Sequence, residues 1–170
     1  YNIEKPIVYN TYQLYRHDKL ASLKADLAYA NIRGFHIGAK IVRGAYMEIE
    51  RERAKEKGYP SPIQPNKAAS DTDYNEAIIF CLDNIDKIGL MAGTHNDQSC
   101  LLLAQEMQKR NIAPNNQNVF FAQLLGMSDN LSFNLGASNY NVAKYMPYGP
   151  VKAVMPYLFR RAQENSSAAG

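Results

Sequence analysis

The sequence predicts an α/β fold with a parallel sheet, either doubly wound or closed into a barrel. β-rich apolar runs alternate with helical runs five times along the 170 residues, which gives about 34 residues per unit, the size of a βα unit. No exact repeat accompanies this alternation, so the pattern reflects an architecture and not a solenoid. A complete (β/α)8 barrel needs about 250 residues. Five units therefore amount to a little more than half of one.

Each element follows from local periodicity. Strands are predicted where apolar and β-branched residues run together, at 7–15, 36–42, 89–95, 118–125 and 141–148. Helices are predicted from residue 20 to Gly34, from about 48, over roughly 73–87, around 101–107 and from about 150. Gly34 is suited to ending the first helix, and Pro150 to the first turn of the last.

Composition bounds the class of protein. The chain is 46% hydrophobic, enough for one domain with a real core, and its formal net charge is only +3. Its basic residues alternate with acidic ones, as at 48–53, which excludes the clustered charge of a nucleic-acid binder. Cys81 and Cys100 lie in separate apolar contexts, so neither a disulfide framework nor a metal site is expected.

Membrane and targeting signals are not expected either. No apolar run is long enough to span a bilayer. The chain starts at Tyr1 with neither an initiator Met nor a signal-peptide pattern. We therefore expect it to be a piece of a longer protein.

The predicted strand ends carry polar and aromatic groups. In parallel α/β folds the chemistry gathers at the carboxyl ends of the strands. Taken singly, these groups have structural explanations: a helix cap for Thr-His-Asn, a turn for Gly-Ala-Tyr, a satisfied amide for a lone Gln. Together on one rim they predict a functional site. They are Gln13, Arg43, Gly44, Ala45, Tyr46, Thr94, His95, Asn96, Gln123, Tyr145, Tyr148 and Gly149.

The last helix carries adjacent arginines in the segment YLFRRAQEN. Tyr157 lies three and four residues before Arg160 and Arg161, and Glu164 lies four and three after them. A surface ion pair is one explanation. However, Pro156 is expected to kink this helix, and the helix follows the last rim strand. Because paired arginines suit a carboxylate or phosphate, we expect an anion site here.

The motifs AKIVRGAYMEIERERA, GTHN, AQLLGM, KYMPYGPV and PYLFRRAQENSS closely resemble the proline dehydrogenase family, FAD-dependent enzymes of proline catabolism. The resemblance covers essentially the whole chain and is closest to the stand-alone and mitochondrial-type branch. It implies a distorted (β/α)8 TIM-type barrel, of which these would be the fourth to eighth strands and the closing helix. Residues 1–170 would then form the C-terminal portion of one catalytic barrel domain.

The resemblance also implies residue roles. Arg160 and Arg161 would clamp the substrate carboxylate, while Tyr145 and Tyr157 would contact its ring. Tyr46 would be the active-site tyrosine, and Lys40 would stabilise charge on the reduced flavin. The residues implied to contact FAD are Gln13, Lys40, Arg43, Gly44, Ala45, Thr94, His95, Asn96, Gln123 and Glu164.

The implied reaction oxidises L-proline to Δ1-pyrroline-5-carboxylate by hydride transfer to flavin N5, without a metal. Electrons would pass to a membrane quinone, which implies peripheral membrane contact. The setting would be the inner face of a bacterial membrane or, in a eukaryote, the mitochondrial matrix and inner membrane. Within the family, hydroxyproline dehydrogenase remains open, although Tyr145 would crowd a ring hydroxyl.

Further expectations concern alternative functions and the part of the family's domain that this chain does not include. An inactive relic or a partner-binding module is one alternative, against which the complete rim and arginine pair argue. Another flavin barrel such as a folate reductase is possible from fold alone, but the RRAQEN segment after YGPV argues against it. The first half of the family's domain, with three strands and a substrate-site lysine and aspartate, would be missing. The 170 residues alone would then be poorly active and would self-associate through exposed sheet edges.

Overall fold

The structure is a computed structural model that describes the backbone of residues 1–167 and the side chains of residues 1–160. Five strands alternate with helices along this described part of the chain. In order, the elements are β1 (Tyr9–Gln13), α1 (Lys19–Arg33), β2 (Ile37–Val42), α2 (Met47–Lys57), α3 (Lys67–Asp83), β3 (Ile88–Gly93), α4 (Asp97–Lys109), β4 (Val119–Leu124), α5 (Asp129–Ala137), β5 (Val142–Tyr145) and α6 (Val151–Ser167).

The strands form one open parallel sheet in the order β1-β2-β3-β4-β5. A doubly wound sheet would reverse its strand order at a switch point, and this sheet has none among the described residues. Right-handed crossovers between sequential neighbours place the connecting helices on one side of the sheet. The fold is therefore an incomplete TIM-type barrel, as the sequence predicts, with β1 and β5 as its edge strands.

The two faces of the sheet differ because side chains alternate along each strand. Ile37, Ala39 and Ile41 of β2 lie on the face covered by helices, and each is at most 6% exposed. The other positions of β2, including Lys40, lie on the face that would line a barrel interior. We call these the helix face and the inner face.

Helix α3 supplies the largest buried contribution against the helix face. Tyr74, Ala77, Ile78 and Cys81 are completely buried. Cys81 and Cys100 are both free and buried, in agreement with the expectation of no disulfide. Burial raises the pKa of both thiols, Cys100 to about 11, so they behave as small apolar groups.

Two helices differ from the prediction. Helix α3 begins at Lys67 and not near 73, because Asn66 caps it by accepting a hydrogen bond from the Ala69 backbone N–H. Helix α5 was not predicted at all. It has nine residues and includes Gly136, Asn and Ser, which are poor helix formers, so its apolar periodicity is weak.

Candidate active site at the carboxyl ends of the strands

A cluster of tyrosine rings and cations lies at the inner-face rim. The Lys40 ammonium lies 5.2 Å from the centroid of the Tyr145 ring. Tyr145 in turn packs edge-to-face against Tyr157, with ring centroids 5.7 Å apart. Among the described residues Lys40 makes no ion pair, so its charge is available to a ligand. The structure thus brings together two strands and α6, as the prediction requires.

Arg160 completes this cluster from one turn further along α6. Its guanidinium lies 5.2 Å from the centre of the Tyr46 ring, and Tyr46 directly precedes α2. Pro156 lies inside α6, as predicted, just before Tyr157 and Arg160. The Nε of Arg160 is buried and has no hydrogen-bond partner among the described residues. A buried donor of this kind is costly unless an acceptor is supplied, and an anion supplies one.

Two other predicted residues of the last helix cannot be placed. The side chains of Arg161 and Glu164 lie outside the described residues. The second half of the arginine clamp and the glutamate contact to the cofactor therefore stay predictions.

The Thr94-His95-Asn96 turn joins β3 to α4; Thr94 is buried, and His95 and Asn96 are half-buried. Asn96 caps α4 by accepting from the Ser99 N–H, and Thr94 Oγ1 accepts from the Asn96 N–H at 3.1 Å. His95 Nδ1 lies 3.0 Å from the hydroxyl of Ser128, the residue before α5. The helix-cap explanation is thus confirmed for Asn96, and the same hydrogen bonds fix where His95 stands.

Arg43 is held by protein groups on the helix face. Its guanidinium donates to Asp71 at 2.5 Å, to Thr94 Oγ1 at 2.9 Å and to Ser99 Oγ at 2.9 Å. It also lies 4.3 Å from the centroid of the buried Tyr74 ring. Its predicted contact with the cofactor stays a prediction, but most of its hydrogen-bonding capacity is already used.

Asp71 is a site residue that the sequence analysis missed. Burial raises the pKa of its carboxyl, but hydrogen bonds from Lys67 and Arg43, and their charges, outweigh burial and lower that pKa overall. The signal that could have found it is the cap at Asn66. Starting α3 there places Asp71 in the second turn, next to the strand ends.

Gly44 and Ala45 form an exposed turn after β2. Gly44 has φ +122, and a Cβ there would stand 2.4 Å from the Tyr15 ring, so this position requires glycine. The side-chain amide of Gln13, at the end of β1, makes no hydrogen bond among the described residues. Together with Lys40, Gln13 gives this rim side-chain donors that are unused among the described residues. This arrangement fits a large cofactor that carries oxygen and nitrogen acceptors.

Gln123 lies on the helix face and not in the rim. It is 2% exposed, donates to the Thr94 carbonyl at 3.3 Å and accepts from the Ser132 hydroxyl at 3.0 Å. The explanation of a satisfied buried amide therefore describes this residue in the structure. Its predicted contact with the cofactor has no support from this geometry and stays a prediction.

Comparison with known proteins gives a consistent family. The family model for proline dehydrogenase matches residues 2–170. "Proline dehydrogenase 1, mitochondrial" of Drosophila melanogaster is 43% identical over 97% of this chain and 26% of its own length. "Hydroxyproline dehydrogenase" of Xenopus laevis is 42% identical over 98% of this chain and 36% of its own length.

A solved structure supports the same grouping. The crystal structure of proline utilization A from Bdellovibrio bacteriovorus, inactivated by N-propargylglycine, superimposes with a TM-score of 0.85 at 30% identity. The match covers 91% of this chain and 16% of that one. Among the described residues, no helix combines the length and hydropathy needed to cross a membrane.

The chain spans only about a quarter to a third of the curated relatives it matches. Over that span the family model matches residues 2–170, and the sequential parallel sheet superimposes on the solved proline utilization A structure. The chain belongs to the proline dehydrogenase family.

Proposed function

We propose that the whole protein oxidises L-proline to Δ1-pyrroline-5-carboxylate with FAD as hydride acceptor. Residues 1–170 would form the C-terminal portion of its catalytic barrel. The observation that carries the proposal is the buried Nε of Arg160, which has no hydrogen-bond partner among the described residues, beside a group of tyrosine rings. That combination suits a small ligand with a carboxylate at one end and an apolar ring at the other.

Arg160 would bind the carboxylate, and the tyrosines would bind the pyrrolidine ring. Tyr46 packs on the guanidinium and holds it in place, which leaves its N–H groups free to face the ligand. Tyr145 and Tyr157 meet edge-to-face and present apolar ring surface. Arg161 is proposed as the second arm of the clamp.

The family is flavin-dependent, and the rim groups fit that cofactor. When bound, FAD would supply the acceptor for the hydride from the ring carbon next to nitrogen. We propose that Gln13, Lys40, the Gly44-Ala45 turn and the 94–96 turn hold it, with Glu164 as a further contact. Lys40, which has no ion pair among the described residues, would place positive charge beside it.

The same cations favour the reactive form of the substrate. Proline gives up a hydride only when its amine is unprotonated, because the nitrogen lone pair assists. Positive charge from Lys40 and Arg160 near the amine disfavours the ammonium form. These two residues would therefore bind the anion and lower the pKa of the amine at once.

Electron transfer to a quinone at a membrane surface is part of this proposal. The Drosophila relative is named a mitochondrial protein, which favours the mitochondrial inner membrane over a bacterial one. The described part of the chain would then make peripheral contact only.

Hydroxyproline dehydrogenase is the second candidate, since the Xenopus relative is as similar as the proline dehydrogenases. Tyr145 argues against it. Its ring lies between Lys40 and Tyr157, where it would crowd a hydroxyl on the substrate ring.

The test is an anaerobic titration of the complete gene product. We expect a flavin band that L-proline bleaches and that glycine or succinate does not. In Arg160→Met the flavin should stay bound. The proline concentration for half-bleaching should rise about a hundredfold, because the substrate carboxylate loses the guanidinium that pairs with it. Arg110→Met, which removes a surface arginine paired with Asp83 and Glu106, is the matched control and should leave this concentration unchanged.

Two results would contradict the proposal in different ways. A yellow protein that proline does not bleach would remove the substrate assignment and keep the cofactor. A colourless protein that takes up no FAD would favour the inactive relic.

A further inference from the structure

A hydrogen-bonded network on the helix face contacts the 94–96 turn, which is implied to contact the cofactor. Its centre is Arg43, directly after β2, with its side chain 20% exposed. Three of its five N–H donors are bound within the chain, to an aspartate, a threonine and a serine. Its guanidinium also packs on Tyr74, which is completely buried. Arg43 is therefore fixed in position before any ligand binds.

Asp71 fixes Arg43 from α3. One carboxylate oxygen accepts from Arg43 Nε at 2.5 Å, and the other accepts from Lys67 Nζ at 2.6 Å. Both oxygens therefore accept from groups of this chain. The ion pair with Arg43 is half-buried, so solvent screens it less than a surface pair.

The network closes on the 94–96 turn. Arg43 donates to Thr94 Oγ1, which also accepts from the Asn96 N–H. Arg43 donates as well to Ser99 Oγ, and Ser99 in turn bonds both Asn75 and the Asn96 side chain. Each end of the turn is therefore tied to the same guanidinium. His95 lies between these two ends, so the same bonds help to set the backbone position of His95.

We propose that Arg43 and Asp71 are a positioning pair for the cofactor site, acting through the Thr94-His95-Asn96 turn and not by touching the cofactor. The inference rests on the proposed function, since it takes the turn to contact FAD. Neutralising Asp71 leaves the Arg43 N–H groups with neutral acceptors only, which accept more weakly than a carboxylate. The turn would then lose the geometry that binding needs.

The test measures FAD binding to the complete apo-protein by quenching of flavin fluorescence, with the visible circular dichroism of the bound flavin recorded alongside. In Asp71→Asn and in Arg43→Lys we expect the FAD Kd to rise about tenfold or more and the dichroism to change, as for loss of a hydrogen bond to a charged group. Lysine keeps the charge of Arg43 but has no planar fork to reach three acceptors.

Asp83→Asn is the matched control. Asp83 ends α3, and its carboxylate also accepts from an arginine, Arg110, at 2.7 Å and 2.9 Å, but at the opposite end of the helix from the rim. We expect this variant to lose melting temperature comparably and to keep the wild-type FAD Kd. If Asp71→Asn does not fold, Ser99→Ala removes one arm of the network, and its FAD Kd should rise about threefold.

The outcomes separate the inference from the proposed function. Wild-type FAD binding in Asp71→Asn or, failing that, in Ser99→Ala would overturn the inference, as would equal loss in Asp83→Asn. If the wild-type protein binds FAD but proline does not bleach the flavin, the proposed substrate is wrong. The FAD titration of the variants then still tests the inference. A wild-type protein that binds no FAD overturns both.

Discussion

Near the amino ends of β1, β2 and β3, the Tyr9 ring lies on the inner face and packs over two glycines. Tyr9 of β1 is in register with Gly38 of β2, and Gly38 with Gly89 of β3. A Cβ at Gly38 would stand 2.4 Å from the Val8 carbonyl oxygen and 2.8 Å from Tyr9 Cγ. A Cβ at Gly89 would stand 2.6 Å from Tyr9 Oη and 2.6 Å from Pro6 Cγ. The ring therefore lies across both glycines.

The two glycines should differ in how much a methyl group costs. At Gly89 the obstructing atoms belong to the end of the Tyr9 side chain and to the Pro6 ring, which can shift more readily than a paired strand, so Gly89→Ala should cost about 1–3 kcal/mol of unfolding free energy. At Gly38 the nearest atom is a backbone oxygen, which moves only with its strand. We expect Gly38→Ala to cost about 3 kcal/mol or more.

Gly136 provides a matched control on α5. A Cβ there would meet nothing within 4 Å, and its backbone φ is not positive. Because glycine is a poor helix former, Gly136→Ala should stabilise the protein by about 0.5–1 kcal/mol.

The assay is urea unfolding of the complete gene product, followed by circular dichroism, with flavin content measured in parallel. The expected order of midpoints is Gly136→Ala, wild type, Gly89→Ala and Gly38→Ala, from highest to lowest. Flavin content should not change, because this end of the sheet is opposite the rim. The reasoning would be refuted if Gly38→Ala cost no more than Gly89→Ala, or if Gly89→Ala matched the wild type.

Three further predictions concern specificity, pH and assembly. Tyr145→Ser should shift the kcat/KM ratio from proline toward hydroxyproline, and an unchanged ratio would remove Tyr145 as the discriminating group. The lowered pKa of Asp71 contributes stability above its ordinary value of 3.8 that is lost as pH falls through the folded value, so wild type should lose more stability on acidification than Asp71→Asn. Residues 1–170 expressed alone should self-associate through the edges of β1 and β5. A flavin-loaded monomer in sedimentation would contradict this.

The sequence was sufficient for the sheet and for much of the rim. Apolar runs located all five strands. Strand-end position selected Tyr46 and Tyr145, the adjacent arginines of the last helix selected Arg160, and the family resemblance implied Lys40; the structure does bring these residues together. Parallel strands place their carboxyl ends on one edge whatever the details of register. Position in the chain therefore determined proximity.

The sequence analysis did not predict the residues that link different helices and strands by hydrogen bonds. Asp71 lies 28 positions from Arg43, in a part of α3 that precedes the helix predicted from about residue 73. Ser99 reads as an ordinary residue in the first turn of a helix. Their role depends on how closely α3 and α4 approach the ends of β2 and β3, a distance that packing sets and that local pattern does not contain.

The two glutamines show why strand-end position alone overpredicts a site. Gln13 lies on the inner face with an unused amide, whereas Gln123 shares the helix face with the fully buried Phe121. In β2, small and charged residues alternate with buried aliphatic ones, so the sequence separates the faces. In β4 the order Val-Phe-Phe-Ala-Gln-Leu is apolar on both faces, and no pattern assigns Gln123 to either. Alternation decides whether a strand-end residue faces a ligand or the protein, and it can be read only where one face is polar.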